Sequence, residues 1–160
     1  MKLYIKQKIF SFADSYNVLN EYEEPIYQVN SEMLTIGAKI HINDLQGQEL
    51  FFIKQKLTFM FAKYEIYKGD ILCAVVQQEP TFFRPKLTVS SNYGDFDIQG
   101  EFWCMDFEIS KEGRTMGTIE KAWMTWGDSY KLDVVEGEDT AFFTALVIAI
   151  DNCLHNGNNN

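Results

Sequence analysis

The sequence predicts an all-β-dominated chain: a closed antiparallel barrel of about twelve strands that encloses one hydrophobic C-terminal α-helix. Three observations predict it. Apolar and polar residues alternate with period two from the first residues onward, as strands with one buried face require. Brief turn signals separate many of these runs, and short connections favour antiparallel pairing because parallel strands need long crossovers. The last long segment breaks the alternation with a run that is apolar at nearly every angle.

Taken in order, the expected strands are 3–10, 15–20, 26–30, 34–43, 49–59, 62–67, 71–78, 84–91, 95–101, 103–110, 115–124 and 128–135. The turn signals are Glu24-Pro25, Leu45-Gln46-Gly47, Lys68-Gly69-Asp70, Asn92-Tyr93-Gly94-Asp95 and Lys111-Glu112-Gly113. Aromatic residues make up 15% of the chain, and they favour half-buried pleated surfaces. Three prolines in 160 residues leave long strands uninterrupted. Asp139 to Leu154 reads as the helix, with Glu136, Glu138 and Asp139 supplying an N-cap and first-turn carboxylates, and Gly157 standing just past the C-terminus. Between those ends only Thr144 interrupts the apolar run 141–150. A helix without a polar side must be enclosed, and here its only neighbours are strands. One domain is expected over 1–155, with a disordered tail at 156–160.

Internal similarity supports a curled sheet. A shift of 48 residues pairs Lys6-Gln7-Lys8-Ile9 with Lys54-Gln55-Lys56-Leu57, and Tyr16 with Tyr64. A shift of 66 pairs Gly47 with Gly113, Leu57 with Trp123, Met60 with Trp126 and Tyr64 with Tyr130. Three copies of one hairpin, each with an aromatic opening its second strand, suit a sheet that closes on itself.

Fourteen basic and 23 acidic residues give a net charge of −9, which opposes the positive field a nucleic-acid binder needs. Residues 1–50 carry −3, residues 51–90 carry +3 and residues 91–160 carry −9. Cys73, Cys104 and Cys153 show no Cys-x-x-Cys pair and read as buried reduced thiols. There is no apolar signal-peptide run, and the longest apolar stretch, Ala145 to Ile150, is too short to span a bilayer. The expected location is the cytoplasm, with peripheral contact at a membrane as a further expectation.

Residue patterns that carry chemistry are sparse. Phe52, Lys54 and Lys56 share one strand face by period-two geometry, in the basic stretch that also holds Lys63, Lys68, Arg84 and Lys86. This set is the candidate anionic-ligand face, since lysines add roughly 1 kcal/mol each near an anionic leaflet. Lysines also protect ordinary strand edges, and the site would work against the total charge. His41 is expected exposed on a strand and His155 in the last helical turn, where its charge favours the dipole; neither shows a metal or catalytic partner by spacing. Asp95, Asp97, Glu101, Asp106 and Glu108 alternate with apolar residues as the wet face of strands does. Trp123 and Trp126 take repeat positions held by Leu57 and Met60, so core or rim packing is expected. No phosphate loop or nucleophile motif is present, and no cofactor is expected.

Several stretches carry a resemblance to a known family. They are Met1 to Phe12 with Asp14, Tyr16 and Val18; Pro25-Ile26-Tyr27-Gln28-Val29; Ile40 to Leu50; Ile53 to Leu57; Tyr64-Glu65-Ile66; and Ala145 to Asp151. In these the chain resembles the LURP-one-related proteins across nearly its whole length. One departure is Glu21-Tyr22-Glu23-Glu24, which has no glycine where the family often turns on one. The family is grouped with tubby C-terminal domains and phospholipid scramblases, so the resemblance implies a barrel of about twelve strands threaded by a hydrophobic helix. On function it implies less: tubby domains bind phosphoinositide head groups, and scramblases act at membranes. No lipid-binding residue is carried over.

Three functional readings follow. The first is a non-enzymatic binding or scaffold module that meets an anionic lipid or a protein partner. The second is an enzyme with its site in a barrel mouth. The third is a small-ligand carrier, which a helix-filled interior would oppose. Oligomeric state is not encoded in the pattern.

Overall fold

A computed structural model describes residues 1–6, 15–32, 34–79, 86–101, 104–124 and 127–156. The first half forms β1 (Lys2–Lys6), β2 (Ser15–Asn20), β3 (Pro25–Ser31), β4 (Lys39–Asn43), β5 (Glu49–Lys56) and β6 (Lys63–Lys68). The second half forms β7 (Ile71–Glu79), β8 (Lys86–Ser91), β9 (Asp97–Glu101), β10 (Asp106–Lys111), β11 (Arg114–Met124) and β12 (Gly127–Val134), followed by α1 (Thr140–Asn156).

All twelve strands pair antiparallel in one sheet, in the order β8-β7-β6-β5-β4-β3-β2-β1-β12-β11-β10-β9. The two halves join through β1 and β12, where Leu3 lies opposite Leu132. Among the described residues the remaining seam, β8 against β9, is crossed by one bridge between Val89 and Phe96, whose amide donates to the Val89 carbonyl at 3.2 Å. The barrel is therefore nearly closed, with a thin seam.

Register explains the core. Ile40, Ile53, Ile66 and Ala74 stand opposite one another from β4 to β7, and all point inward and are buried. A second run links Phe107, Ile119 and Leu132 across β10 to β12. Inside this wall residues Ala141 to Asp151 of α1 are all buried. Phe142, Phe143, Leu146, Val147, Ile148 and Ile150 each contribute roughly 1.5–3 kcal/mol through that burial. Thr144, the polar exception, donates its hydroxyl to the Thr140 carbonyl at 2.8 Å, so nothing polar is orphaned there. Gly117 on β11 leaves room for the Phe143 ring, which a Cβ at that position would meet at 3.4 Å.

The helix start differs from expectation in one respect. Asp139 is the N-cap, its Oδ1 accepting from the Ala141 and Phe142 amides at 3.1 Å each. No acidic residue lies in the first turn, because Glu136 and Glu138 belong to the tight turn that precedes it. Asn156, expected as the first residue of the tail 156–160, is instead the last residue of α1, while Gly157, the expected cap, and the rest of that tail lie outside the described residues.

Strand directions divide the barrel into two unlike ends. The turns 21–24, 44–48, 69–70, 92–96 and 112–113, with the crossover 135–139 into α1, share one end. The connections 32–38 and 57–62 share the other, together with the last turns of α1, whose Asn152 carbonyl accepts from the Tyr64 hydroxyl at 3.4 Å. We call these the turn end and the loop end. The expected strands 34–43, 49–59 and 103–110 prove too long, and each overshoots at the loop end: β4 starts at Lys39, β5 stops at Lys56 and β10 starts at Asp106. Leu34, Gly37 and Met105 have φ of 55°, 81° and 52°, outside the extended region, which ends the strand there. Expected strand residues 7–10, 84–85 and 103 lie outside the described residues.

At the turn end the glycine-free turn is built by a side chain instead. Asn20 Oδ1 accepts from the amides of Tyr22 and Glu24 at 2.9 and 3.0 Å, while Glu23 takes a φ of 61°. The repeated tyrosines all face the core: Tyr64, second in β6, and Tyr130, fourth in β12, are buried, and Tyr16, second in β2, packs against the same cluster.

Two side-chain expectations are corrected. Cys73 and Cys153 are buried free thiols, but Cys104 is exposed, because it sits in the connection before β10 rather than on a strand. Burial pushes the Cys153 thiol up to about 12, so it is fully protonated at neutral pH. Trp123 is exposed at the loop-end tip of β11, and Leu57, its repeat partner, and Met60, the partner of Trp126, are exposed too, so of core or rim packing the core alternative does not apply to them. Trp126 lies outside the described residues.

Candidate functional site

The sequence-predicted lysines divide into groups. On β5 the inward residues are Phe51 and Ile53, so Phe52, Lys54 and Lys56 point outward together, as period two requires. Lys63 on β6 lies directly opposite Lys56, and Lys39 on β4 lies directly opposite Lys54. Four lysines from three adjacent strands therefore share the outer wall close to the loop end. Lys39 did not stand out in the sequence, because only the register of β4 against β5 brings it there.

The other candidates lie apart. Lys68 is at the turn end, 3.9 Å from Asp139 and 5.4 Å over the Phe51 ring. Lys86 on β8 pairs with Glu79 at 2.7 Å. Arg84 lies outside the described residues.

Carboxylates temper the cluster. Lys39 Nζ meets Glu32 Oε2 at 3.1 Å, and Lys56 Nζ stands 3.7 Å from Glu65 Oε2. Glu65 also accepts from the Tyr67 hydroxyl at 2.5 Å, and that bond, with some burial, raises the tyrosine pKa. Among the described residues Lys54 and Lys63 have no ion-pair partner. Directly opposite lysines repel, and the Lys39–Lys54 and Lys56–Lys63 positions are two such juxtapositions on one wall.

An aromatic row crosses the same wall. His41, Phe52 and Tyr67 are successive cross-strand partners, with His41 stacked on Phe52 at 4.8 Å and Phe52 to Tyr67 at 6.3 Å. His41 is not the unpartnered surface histidine its spacing implied. Its Nδ1 meets Glu49 Oε2 at 2.5 Å and its Nε2 meets Glu32 Oε1 at 3.0 Å. Burial works to lower the His41 pKa, but the two carboxylate hydrogen bonds outweigh it and the net shift is upward. Both ring nitrogens are occupied by carboxylates, an arrangement that suits an imidazolium rather than a metal ligand. No group of metal-ligating side chains occurs among the described residues. Asp97, Glu101, Asp106 and Glu108 lie on the exposed face of β9 and β10 as the alternation implied.

Inside the loop end, Asp151 of α1 gathers a second polar cluster. Its Oδ1 accepts from the Tyr130 hydroxyl at 3.0 Å and lies 3.1 Å from His155 Nδ1. A cleft beside it, lined by Ile5, Tyr16, Val29, Ile40 and Val147, holds about 10 Å³ of space open to a water molecule. That is room for about one water and none for an organic substrate. Among the described residues α1 fills the interior of the barrel. Among the described residues no helix is long and apolar enough to cross a membrane.

These features define a class of protein: a twelve-stranded antiparallel barrel threaded by an apolar helix, with its clustered cations on the outer wall. The chain belongs to the LURP-one-related family, which it matches over residues 1–151. It is similar to a Bacillus subtilis (strain 168) protein, YxjI, whose name marks it as uncharacterized; the two are 31% identical over 156 residues, 98% of this chain and 95% of that one. No solved structure matches the chain.

Proposed function

We propose that residues 1–155 form a non-enzymatic binding module that docks on an anionic lipid surface through the wall of β4, β5 and β6, at the cytoplasmic face of a membrane. The observation that carries this reading is the convergence of Lys39, Lys54, Lys56 and Lys63 beside the loop end, with two of them lacking an ion-pair partner among the described residues. The net charge of −9 does not defeat it, because the excess negative charge is concentrated elsewhere. The turns and crossover of the turn end carry three, one, one, one, one and three carboxylates, ten in all, and no lysine or arginine. An anionic surface repels that end and turns the other toward itself. Buried free thiols at Cys73 and Cys153 fit a reducing compartment.

The test is sedimentation of the protein with phosphatidylcholine vesicles, with and without phosphatidylserine. Binding is expected to need the anionic lipid and to weaken with salt. Lys54→Glu with Lys56→Glu is expected to lower affinity at least about 30-fold, since each lysine contributes roughly 1 kcal/mol near such a surface. Equally poor binding to neutral and anionic vesicles overturns the reading.

A further inference from the structure

The loop end carries the four most exposed large apolar side chains among the described residues, with two more close by. Phe59 is 97% exposed, Leu34 95%, Ile36 83%, Trp123 78%, Leu57 72% and Met60 67%. Monomeric proteins expose single apolar residues freely, but a cluster of large ones on neighbouring loop tips needs a reason. Five of the six lie on two connections, the first of which is tied to the end of β5 from which the second leaves. The Gln55 amide donates to the Ala38 carbonyl at 2.8 Å, and Gln55 Oε1 accepts from the Ala38 amide at 2.9 Å.

Both connections are built rather than slack. Thr35 donates its hydroxyl to the Gly37 carbonyl at 2.8 Å, and Thr58 donates to the Phe61 carbonyl. The Ala62 carbonyl accepts from the Gln78 amide at 3.0 Å and from the Cys153 thiol at 3.4 Å. The carbonyls of Gly37, Ala38, Phe61 and Ala62 are thus occupied, which fixes the course of both connections while their apolar side chains project outward. Trp123 adds an amphipathic ring on the far side of the same end, with the Lys121 ammonium 4.9 Å over it.

The geometry points to end-on insertion: Leu34, Ile36, Leu57, Phe59 and Met60 enter the headgroup–acyl boundary of an anionic bilayer, while the lysine wall meets the headgroups and the acidic turn end faces away. This rests on the anionic-surface reading above and adds depth and orientation to it. Charge chooses the bilayer as occupant. The apolar tips adjoin Lys39, Lys54, Lys56 and Lys63, whereas three of the seven exposed large apolar residues at the opposite end, Tyr22, Leu45 and Ile71, follow directly on Glu21, Asp44 and Asp70, in connections that carry no lysine or arginine. Separate tips on adjacent connections also penetrate a fluid phase without needing a matching rigid surface.

The experiment attaches an environment-sensitive fluorophore at Phe59→Cys, and in a second protein at Leu45→Cys, both in a Cys104→Ser background. Phosphatidylcholine–phosphatidylserine vesicles are added, with and without spin-labelled acyl chains. The label at 59 is expected to shift to the blue and be quenched by the acyl-chain spin labels, and the label at 45 to do neither. Leu57→Ser with Phe59→Ser is expected to lower vesicle binding at least about 10-fold, with the unfolding temperature unchanged because both side chains are solvent-exposed. Vesicle binding that depends on Lys54 and Lys56 while the label at 59 stays unshifted overturns insertion and leaves the lysine reading standing. No binding to anionic vesicles overturns both. A wild-type dimer in solution that the paired serine substitution dissolves also overturns insertion, because a second copy would then cover these tips.

Discussion

At the residue scale the clearest consequence of the fold is a pH dependence at His155. The Asp151 hydrogen bonds raise its pKa from 6.5 to about 9 against an opposing effect of burial. A group whose folded pKa lies above its unfolded value adds stability that is fully present below the unfolded pKa and is lost as pH rises through the folded one. Stability is therefore expected to fall from pH 6.5 to 9, and His155→Gln to flatten the fall within that window. An imidazole that titrates near 6.5 by NMR in the folded protein would contradict the assignment. Part of this pair was legible in the sequence. His155 belongs to the last helical turn, and Asp151 stands four residues earlier on the same face. Tyr130, the third member, could not be read, because it arrives from β12 through tertiary packing. The same limit applies at His41, whose carboxylate partners come from the connection before β4 and from β5.

Among the elements, the seam between β8 and β9 is where the wall is thinnest. Other neighbouring strands share ladders, but among the described residues one bridge spans the gap here and side chains do the closing. The Phe96 ring packs edge to face with Phe143 at 5.7 Å and tilted against Phe142 at 6.0 Å, so the wall is held to α1 at this point. Phe96→Ala is expected to cost about 3–5 kcal/mol and, in hydrogen exchange, to release the β8 and β9 amides before those of β5 and β6. Uniform loss of protection around the barrel would show that the seam is not the weak point. This seam was invisible in the sequence, because Val89 and Phe96 belong to segments that read as ordinary strands. By contrast, the turn signals at 45–47, 68–70, 92–95 and 111–113 marked the turn end well, since tight reversals demand glycine or Asx chemistry. Longer connections make no such demand. At 34–38 and 57–59 the chain keeps apolar residues past the last strand residue, and alternation alone reads those as more strand. The error and the candidate membrane contact have one cause: apolar side chains placed where no core receives them.

For the whole molecule the governing quantity is the separation of charge between the ends. Ten carboxylates crowd the connections of the turn end, and Lys68, 3.9 Å from Asp139, is a cation that reaches into them. Such crowding destabilises the compact state through self-repulsion, which salt relieves. Raising ionic strength from about 0.01 M to about 0.1 M shortens the Debye length from about 30 Å to about 10 Å. The unfolding temperature is expected to rise over that range, by roughly 2–4 °C if the relief is about 1 kcal/mol. Exposed pairs such as Lys86 with Glu79 work in the other direction, but surface pairs contribute only about 0–1 kcal/mol each. Glu21→Lys with Glu23→Lys is expected to raise the unfolding temperature at low salt and to shrink the salt response. Lys54→Glu, which removes a cation from the opposite end, leaves the turn-end repulsion in place and so keeps that response. A fall in unfolding temperature with salt would mean that attractive pairs dominate and that the turn end is not a site of net repulsion.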